Sequence, residues 1–260
     1  MASGARVVAH RFRRVAEVTG AYPPLNTLKP IVDDLWIVDG PLIRFGPKWL
    51  KMPFPTRMTI VRCRDGNLLL DSPTLLVPEL QAEIAGIGRP RWIVGPNRLH
   101  HWWIPDWHAA FPDADVWLAP KIEQQAAGRI DFPSRRLDQA HSYPWHADLA
   151  TLAVAGNYLT EYVFFHRTSR TLILTDLIEN FEPHRLGSFI MRWLVRLGGV
   201  QDPNGGMPRD MRLSFRKAEL RAAVEQLIAW NPERIVIAHG RCYDRDGVKE
   251  LRRAFRWLLR

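Results

Sequence analysis

WIVGPNRLHHWW, residues 92–103, runs from the apolar residues Trp92, Ile93 and Val94 through the turn Gly95-Pro96-Asn97 almost directly into His100 and His101. A short apolar run closed by glycine and proline reads as a buried strand. Both imidazoles therefore start at the end of a sheet, where mixed helix and strand folds collect their ligand sites. Two more strands end in the same way. Leu172-Ile173-Leu174 leads to Asp176, and Ile235-Val236-Ile237 leads to His239, followed by Gly240, which lets the backbone turn close to a ligand. Imidazole and carboxylate suit zinc, iron or manganese, and such ligands converging from separate strands are a usual way to build a hydrolytic metal centre. Taken singly, each histidine reads as a hydrogen-bonded structural residue and Asp176 as a cap for the segment LIENF. Their joint placement carries the inference.

Outward from this stretch the pattern stays mixed. Residues 35–38 and 58–62 read as strands, and RDGN at 64–67 is a hairpin turn returning into residues 68–71, which makes a meander. Residues 40–57 hold four prolines and are expected as a loop over one sheet edge, with residues 45–54 as a candidate pocket lid. Residues 78–87 read as a short amphipathic helix stopped by glycine, 107–111 as another short helix and 116–118 as a strand. The polar stretch 121–148 gives no assignable pattern. Beyond it, residues 162–165 and 171–174 form a hairpin joined by HRTSR, and helices at 216–230 and 248–259 flank a strand at 235–237. Residues 1–30, ending in AYPPLNTLKP, are expected as an extended arm, and residues 31–260 as one domain.

A chain of 260 residues supports one large core. No run approaches the roughly 18 apolar residues that cross a bilayer, and the start, MASGARVVAHRFRRVAEV, has Arg and His where a secretory apolar stretch belongs, so a cytoplasmic protein without a membrane partner is expected. Cys63 and Cys242 form no CxxC pair and are expected as buried free thiols. The net charge of +9 comes from 36 scattered basic residues, concentrated only from Arg6 to Arg14 and at Arg252, Arg253, Arg256 and Arg260. Spacing places Arg252, Arg256 and Arg260 on one solvated helix face, which points away from nucleic acid and towards a small-molecule substrate, with a lean to an anionic ester or phosphoester.

The set of segments resembles the metallo-β-lactamase superfamily over residues 31–260. TIVRCRDGNLLLDS resembles its opening hairpin ending in an aspartate that supports the site, here Asp71; IVGPNRLHH resembles the strand running into its HxHxDH motif. TDLIENF resembles the segment supplying the bridging aspartate, and IVIAHG the closing strand with its final His-Gly. More narrowly, PTRMT, PNRLHH, LTEYVFFHRTSRTLILTDLIENF and AHG are similar to the DUF4336 proteins. The resemblance implies an α/β (α+β) fold, an αββα sandwich of two mixed sheets flanked by helices.

Departures from the motif imply an altered centre. His100 and His101 fall on the motif's Asp-His pair, Asn97 stands near a lost histidine, and Asn157 in AGNYLTE replaces another, so the first metal site is dismantled. The implied metal ligands are His100, His101, Asp176 and His239, holding one divalent ion, zinc first, with iron or manganese as alternatives. Glu161, at the start of TEYVFF, shares a strand face with Val163 and Phe165; if that face is interior the carboxylate needs coordination or a partner, and it is the added candidate for ligand or general base, with Asp176 the other candidate catalytic group. His166 in the HRTSR turn is expected at the surface. Of Trp102, Trp103 and Trp107, at least one is expected in the core. Three functions fit: a metal-dependent hydrolase, a non-catalytic binding protein that has kept the fold, or an iron-binding redox protein that needs Glu161 in its ligand set.

Overall fold

The computed structural model describes residues 20–46, 51–140 and 142–260; the basic stretch from Arg6 to Arg14 lies outside them, as does most of the expected arm. In chain order, β1 (Lys29–Val32) and β2 (Leu35–Asp39) lead to β3 (Ile43–Phe45) and β4 (Met52–Phe54), then β5 (Arg57–Arg62), β6 (Asn67–Asp71), α1 (Pro78–Ile87), β7 (Arg89–Gly95), α2 (Ile104–Ala110), β8 (Asp115–Leu118), α3 (Ile122–Ala126) and β9 (Arg135–Arg136). The second half runs β10 (Leu149–Val154), β11 (Glu161–His166), β12 (Thr171–Ile173), α4 (Phe189–Gly198), α5 (Lys217–Ala229), β13 (Arg234–Val236), α6 (Gly247–Ala254) and α7 (Arg256–Leu259).

Two mixed sheets result. The first has seven strands in the order β1-β2-β5-β6-β7-β8-β9, antiparallel up to β6 and parallel from β6 onward. The second has four, β10-β11-β12-β13, antiparallel except for its last pair. Period-2 alternation divides the faces of the second sheet. Tyr162, Phe164, Ile173 and Val236 join the core of the first sheet, while Val163, Phe165, Leu172 and Ile235 pack under Leu220, Leu251 and Phe255 of the C-terminal helical segment. Leu80 and Ile84 of α1 and Trp107 of α2 pack on the first sheet. The expected αββα sandwich is thus the fold the chain adopts.

The expected loop at residues 40–57 contains the β3–β4 hairpin. The helix expected at 248–259 is broken at Phe255, whose ring is fully buried and whose backbone, at φ −105° and ψ 17°, leaves the helical region. Arg252, Arg256 and Arg260 remain exposed on either side of the break. Cys63 is buried and Cys242 half-buried, both as free thiols. Among the described residues no helix is long and apolar enough to cross a membrane.

Candidate metal centre

Asn97 closes the turn after β7 and is fully buried. Its Oδ1 accepts the Leu99 N–H at 2.8 Å, and its backbone carbonyl accepts the His100 N–H at 3.1 Å, so the side chain imposes the local turn that presents His100. The amide of Asn97 then donates across to the end of the second sheet, to Thr175 Oγ1 at 2.9 Å and Asp176 Oδ2 at 2.6 Å. One side chain thus sets the distance between two of the candidate ligands.

His100 Nδ1 lies 2.5 Å from Ser72 Oγ, just past β6, which leaves Nε2 turned to Asp176 Oδ2 at 3.1 Å. His239, three residues past β13, has Nδ1 2.8 Å from the Pro55 carbonyl and Nε2 3.1 Å from Asp176 Oδ1. Against a carbonyl only an N–H is favourable, so Nδ1 of His239 carries a proton and Nε2 is its ligand atom. Gly240 is required in the following turn: its φ is +101°, and an added Cβ would sit 2.1 Å from the Asn180 carbonyl oxygen. Buried Arg57 of β5 holds the same turn from the opposite sheet. Its Nη1 donates to the carbonyls of Ile237 and Gly240 at 2.7 and 2.8 Å and to Cys242 Sγ at 3.3 Å, while Nε donates to Asp39 Oδ1 at 2.8 Å.

Ligand atoms of His100, Asp176 and His239 all lie within 4.8 Å of one another. Two imidazole nitrogens face one carboxylate, and a lone pair turned to a carboxylate oxygen is repulsive, so each contact calls for a proton or a cation. Burial opposes ionisation of Asp176, but the two imidazoles outweigh it and hold its pKa well below the carboxylate range. Burial likewise works against an imidazolium at His239. The hydrogen bond and charge of Asp176, with help from Glu179 and the Pro55 carbonyl, nevertheless raise its pKa above the ordinary value.

The structure brings these three expected ligands together and leaves two others outside. His101 lies outside the group: its ring stacks on Trp102 with centroids 5.6 Å apart, its buried Nδ1 has no hydrogen-bond partner among the described residues, and burial, then the charges of Arg129 and His100, lower its pKa to about 4. Glu161 is fully buried, as its alternation required if that face is interior, and its partners are backbone amides. Oε1 accepts the Thr175 N–H at 2.8 Å, and Oε2 accepts those of Asp176 at 2.8 Å and Leu177 at 3.0 Å. It shapes the loop that carries Asp176. Burial and then the Asp176 charge push its pKa up to about 8, against the pull of those amides. Asp71 is buried, and among the described residues its Oδ1 has no hydrogen-bond partner and no hydrogen bond joins it to the three ligands; Ser72, one residue later, touches His100 instead. Burial, then Glu161, raise the Asp71 pKa well above the usual range. His166, expected at the surface, is buried with Nδ1 2.8 Å from Ser169 Oγ. Asn157 is exposed. Trp107 is fully buried and donates to the Thr74 carbonyl, whereas Trp102 and Trp103 line a cavity.

That cavity, about 910 Å³, opens on His100, Asp176 and His239. Met52 and Phe54 of the β3–β4 hairpin wall it on one side, as the lid reading of residues 45–54 anticipated for part of that segment, and α4 walls another. Glu179, absent from the sequence reading, is a buried carboxylate in its wall. Burial raises its pKa to about 8, with His239 pulling down and Asp176 pushing up. Its position three residues after Asp176 in TDLIENF was the available signal.

Residues 47–186 match the model of a family described as Domain of unknown function (DUF4336). No curated protein matches the sequence. Among solved structures the chain is similar to the metallo-β-lactamase FIM-1 from Pseudomonas aeruginosa in its mono-zinc form, at 13% identity and TM-score 0.56, covering 90% of this chain and 96% of that one. A metallo-β-lactamase from Hirschia baltica (12%, 0.55, 86% and 95%) and one from Pontibacter korlensis (12%, 0.57, 89% and 98%) are similar to the same degree. At these identities the likeness is one of fold.

Proposed function

The chain belongs to the DUF4336 family and has the metallo-β-lactamase fold, and from that premise we propose that it is a metal-dependent hydrolase with a mononuclear centre held by His100, Asp176 and His239. The observation that carries this reading is the convergence of two imidazole Nε2 atoms and one carboxylate within 4.8 Å. The donor set fits a borderline divalent cation, zinc first, then iron or manganese; three protein ligands with an open position are the pattern of catalytic zinc sites. The similar Pseudomonas aeruginosa structure is a mono-zinc form, which supports a single ion as compatible with this fold.

An ion held there lowers the pKa of water towards neutrality and polarises the bond under attack. Asp176 contributes the anionic donor, His100 and His239 neutral donors oriented by Ser72 and Pro55, and Asn97 restrains the carboxylate. Glu179 lines the same cavity as His100, Asp176 and His239, and because burial pushes its pKa up to about 8 it is largely protonated at neutral pH and suited to give a proton to a leaving group. Glu179→Gln should therefore keep the metal and lose turnover by about 10²-fold; loss of metal in that variant would make Glu179 a ligand instead. The net charge of +9 favours an anionic small-molecule substrate.

Metal analysis tests the centre. Protein purified without chelator is expected to hold about one divalent ion per chain, the pattern of a three-ligand site. To bind through Nε2, His239 must lose the second proton of its imidazolium while keeping the one on Nδ1, and because its pKa is raised that competition begins at higher pH than for an ordinary imidazole. Affinity should fall as pH drops through that raised value, with proton release seen as buffer dependence in calorimetry. Two equivalents would overturn the mononuclear reading, and none after reconstitution would favour the non-catalytic binding protein. The redox alternative depended on Glu161, whose oxygens are committed to backbone amides.

A further inference from the structure

We propose that the cavity beside the centre binds a single unbranched alkyl chain, so that the compound handled there is an amphiphile with its polar head at His100, Asp176 and His239 and its tail under α4. The placement of the head rests on the metal reading above; the tail site does not.

At about 910 Å³ the space lies towards the upper end for small-molecule sites. Its buried polar lining is Thr56, Ser72, Asp176, Glu179 and His239, with half-buried His100; the Thr56 hydroxyl is engaged with the Pro41 carbonyl and Thr74. Away from the centre the walls are Met52, Phe54, Phe181, Met191, Leu194 and Val195; Asn157, Arg209 and Asp210 are exposed, and the Oγ of half-buried Ser214 already accepts the Tyr158 and Leu159 N–H groups. A sugar or nucleotide reaching into that part would lose its hydrogen bonds to water and find few replacements, a cost an alkyl chain does not meet. Methionines at 52, 191 and 211 give the walls soft, adaptable surfaces suited to a chain without fixed shape.

Helix α4 extends the apolar surface to the outside. Met191, Leu194 and Val195 face the cavity, while Phe189, 73% exposed, Ile190, Trp193 and Leu197 lie on its outer side, and Leu213 of the lining is 90% exposed. Leu197 belongs to both surfaces, so a chain can pass between inside and outside without leaving apolar contact. Contiguous exposed apolar surface of this kind marks a site of interaction.

The test is a titration of hexanoate, octanoate, decanoate and dodecanoate into metal-free and zinc-loaded protein by calorimetry. One site per chain is expected, with affinity rising about two- to fourfold per added methylene in both forms, the gain from burying each group. Leu194→Trp, which fills the cavity, should weaken dodecanoate by about tenfold, the loss of some two or three buried methylenes, and leave hexanoate unchanged. Met191→Phe serves the same purpose should Leu194→Trp fail to fold. Affinity independent of chain length, several sites per chain, or a slope that neither variant changes would overturn the proposal. A slope without metal uptake would sink the hydrolase reading and leave the tail site standing; metal uptake without a slope would do the reverse.

Discussion

Asp176→Ala is expected to abolish measurable metal binding while leaving the protein folded. Asp176 is the hub of the centre, since both imidazole Nε2 atoms and the Asn97 amide address its two oxygens. Zinc sites of four ligands bind with about 10–16 kcal/mol, so one ligand carries about 2.5–4 kcal/mol, or about 10²- to 10³-fold in affinity. The variant leaves His100 and His239 with a cation between them and no counter-charge. Asp176→Asn separates charge from shape: the amide can keep a contact with one imidazole, yet it lacks the negative charge. Calorimetric titration with zinc should find both variants similarly weak. Wild-type affinity in Asp176→Asn would mean that the carboxylate is a scaffold and that the ion, if any, sits elsewhere. Thermal melts without metal should keep one cooperative transition, lowered by about 1–3 kcal/mol in stability, because buried Asp176 is the partner of His100, His239 and the Asn97 amide.

Glu161→Gln is expected to unfold earlier in metal-free form, by about 2–4 kcal/mol, or about 5–15 °C for a domain of this size. Both carboxylate oxygens accept backbone N–H groups, three in all, at full burial. An amide presents one oxygen and one NH2, and the NH2 cannot accept, so at least one of the Thr175, Asp176 and Leu177 amides is orphaned against another donor. Metal affinity should fall as well, by about 10–100-fold, because the loop that aims Asp176 loosens. A pure ligand would leave the metal-free melting temperature unchanged, and that outcome would return Glu161 to the coordination sphere.

How far the sequence could be read follows from how local each signal is. The strands that end in His100, Asp176 and His239 are short apolar runs with turn residues after them, and these were legible, as were the RDGN hairpin and the helix from Lys217. Which of two adjacent imidazoles turns inward was not. His100 reaches Ser72, 28 residues away, and His101 stacks on its neighbour Trp102, a choice made by packing between elements. Glu161 was legible only conditionally, as a carboxylate that needs partners if its strand face is interior and is solvated or paired with an arginine if it is not; its partners are main-chain amides of the loop at 175–177, which carry no side-chain signature. Helix α4 does carry a helical period, since Arg192 and Arg196 stand four residues apart on one polar side of FIMRWLVRLG, so its signal was present in the sequence. β10, LATLAV, has small residues in both phases of its alternation and is recognised only through its pairing with β11. The Phe255 break interrupts a run whose spacing alone reads as continuous.

Arg57 makes the two halves of the chain one heritable unit. Residues 149–260 alone contain Asp176, Glu179 and His239, and would look like a smaller version of the centre. They lack the guanidinium that enters from β5 and grips the carbonyls of Ile237 and Gly240 on the turn behind His239. They also lack Pro55, which fixes that imidazole, and Asn97, which spaces the carboxylate. A recombination event that exchanged the second half for that of a distant relative would bring the donors but leave them without their frame. The turn after β13 and the start of β5 therefore have to change together.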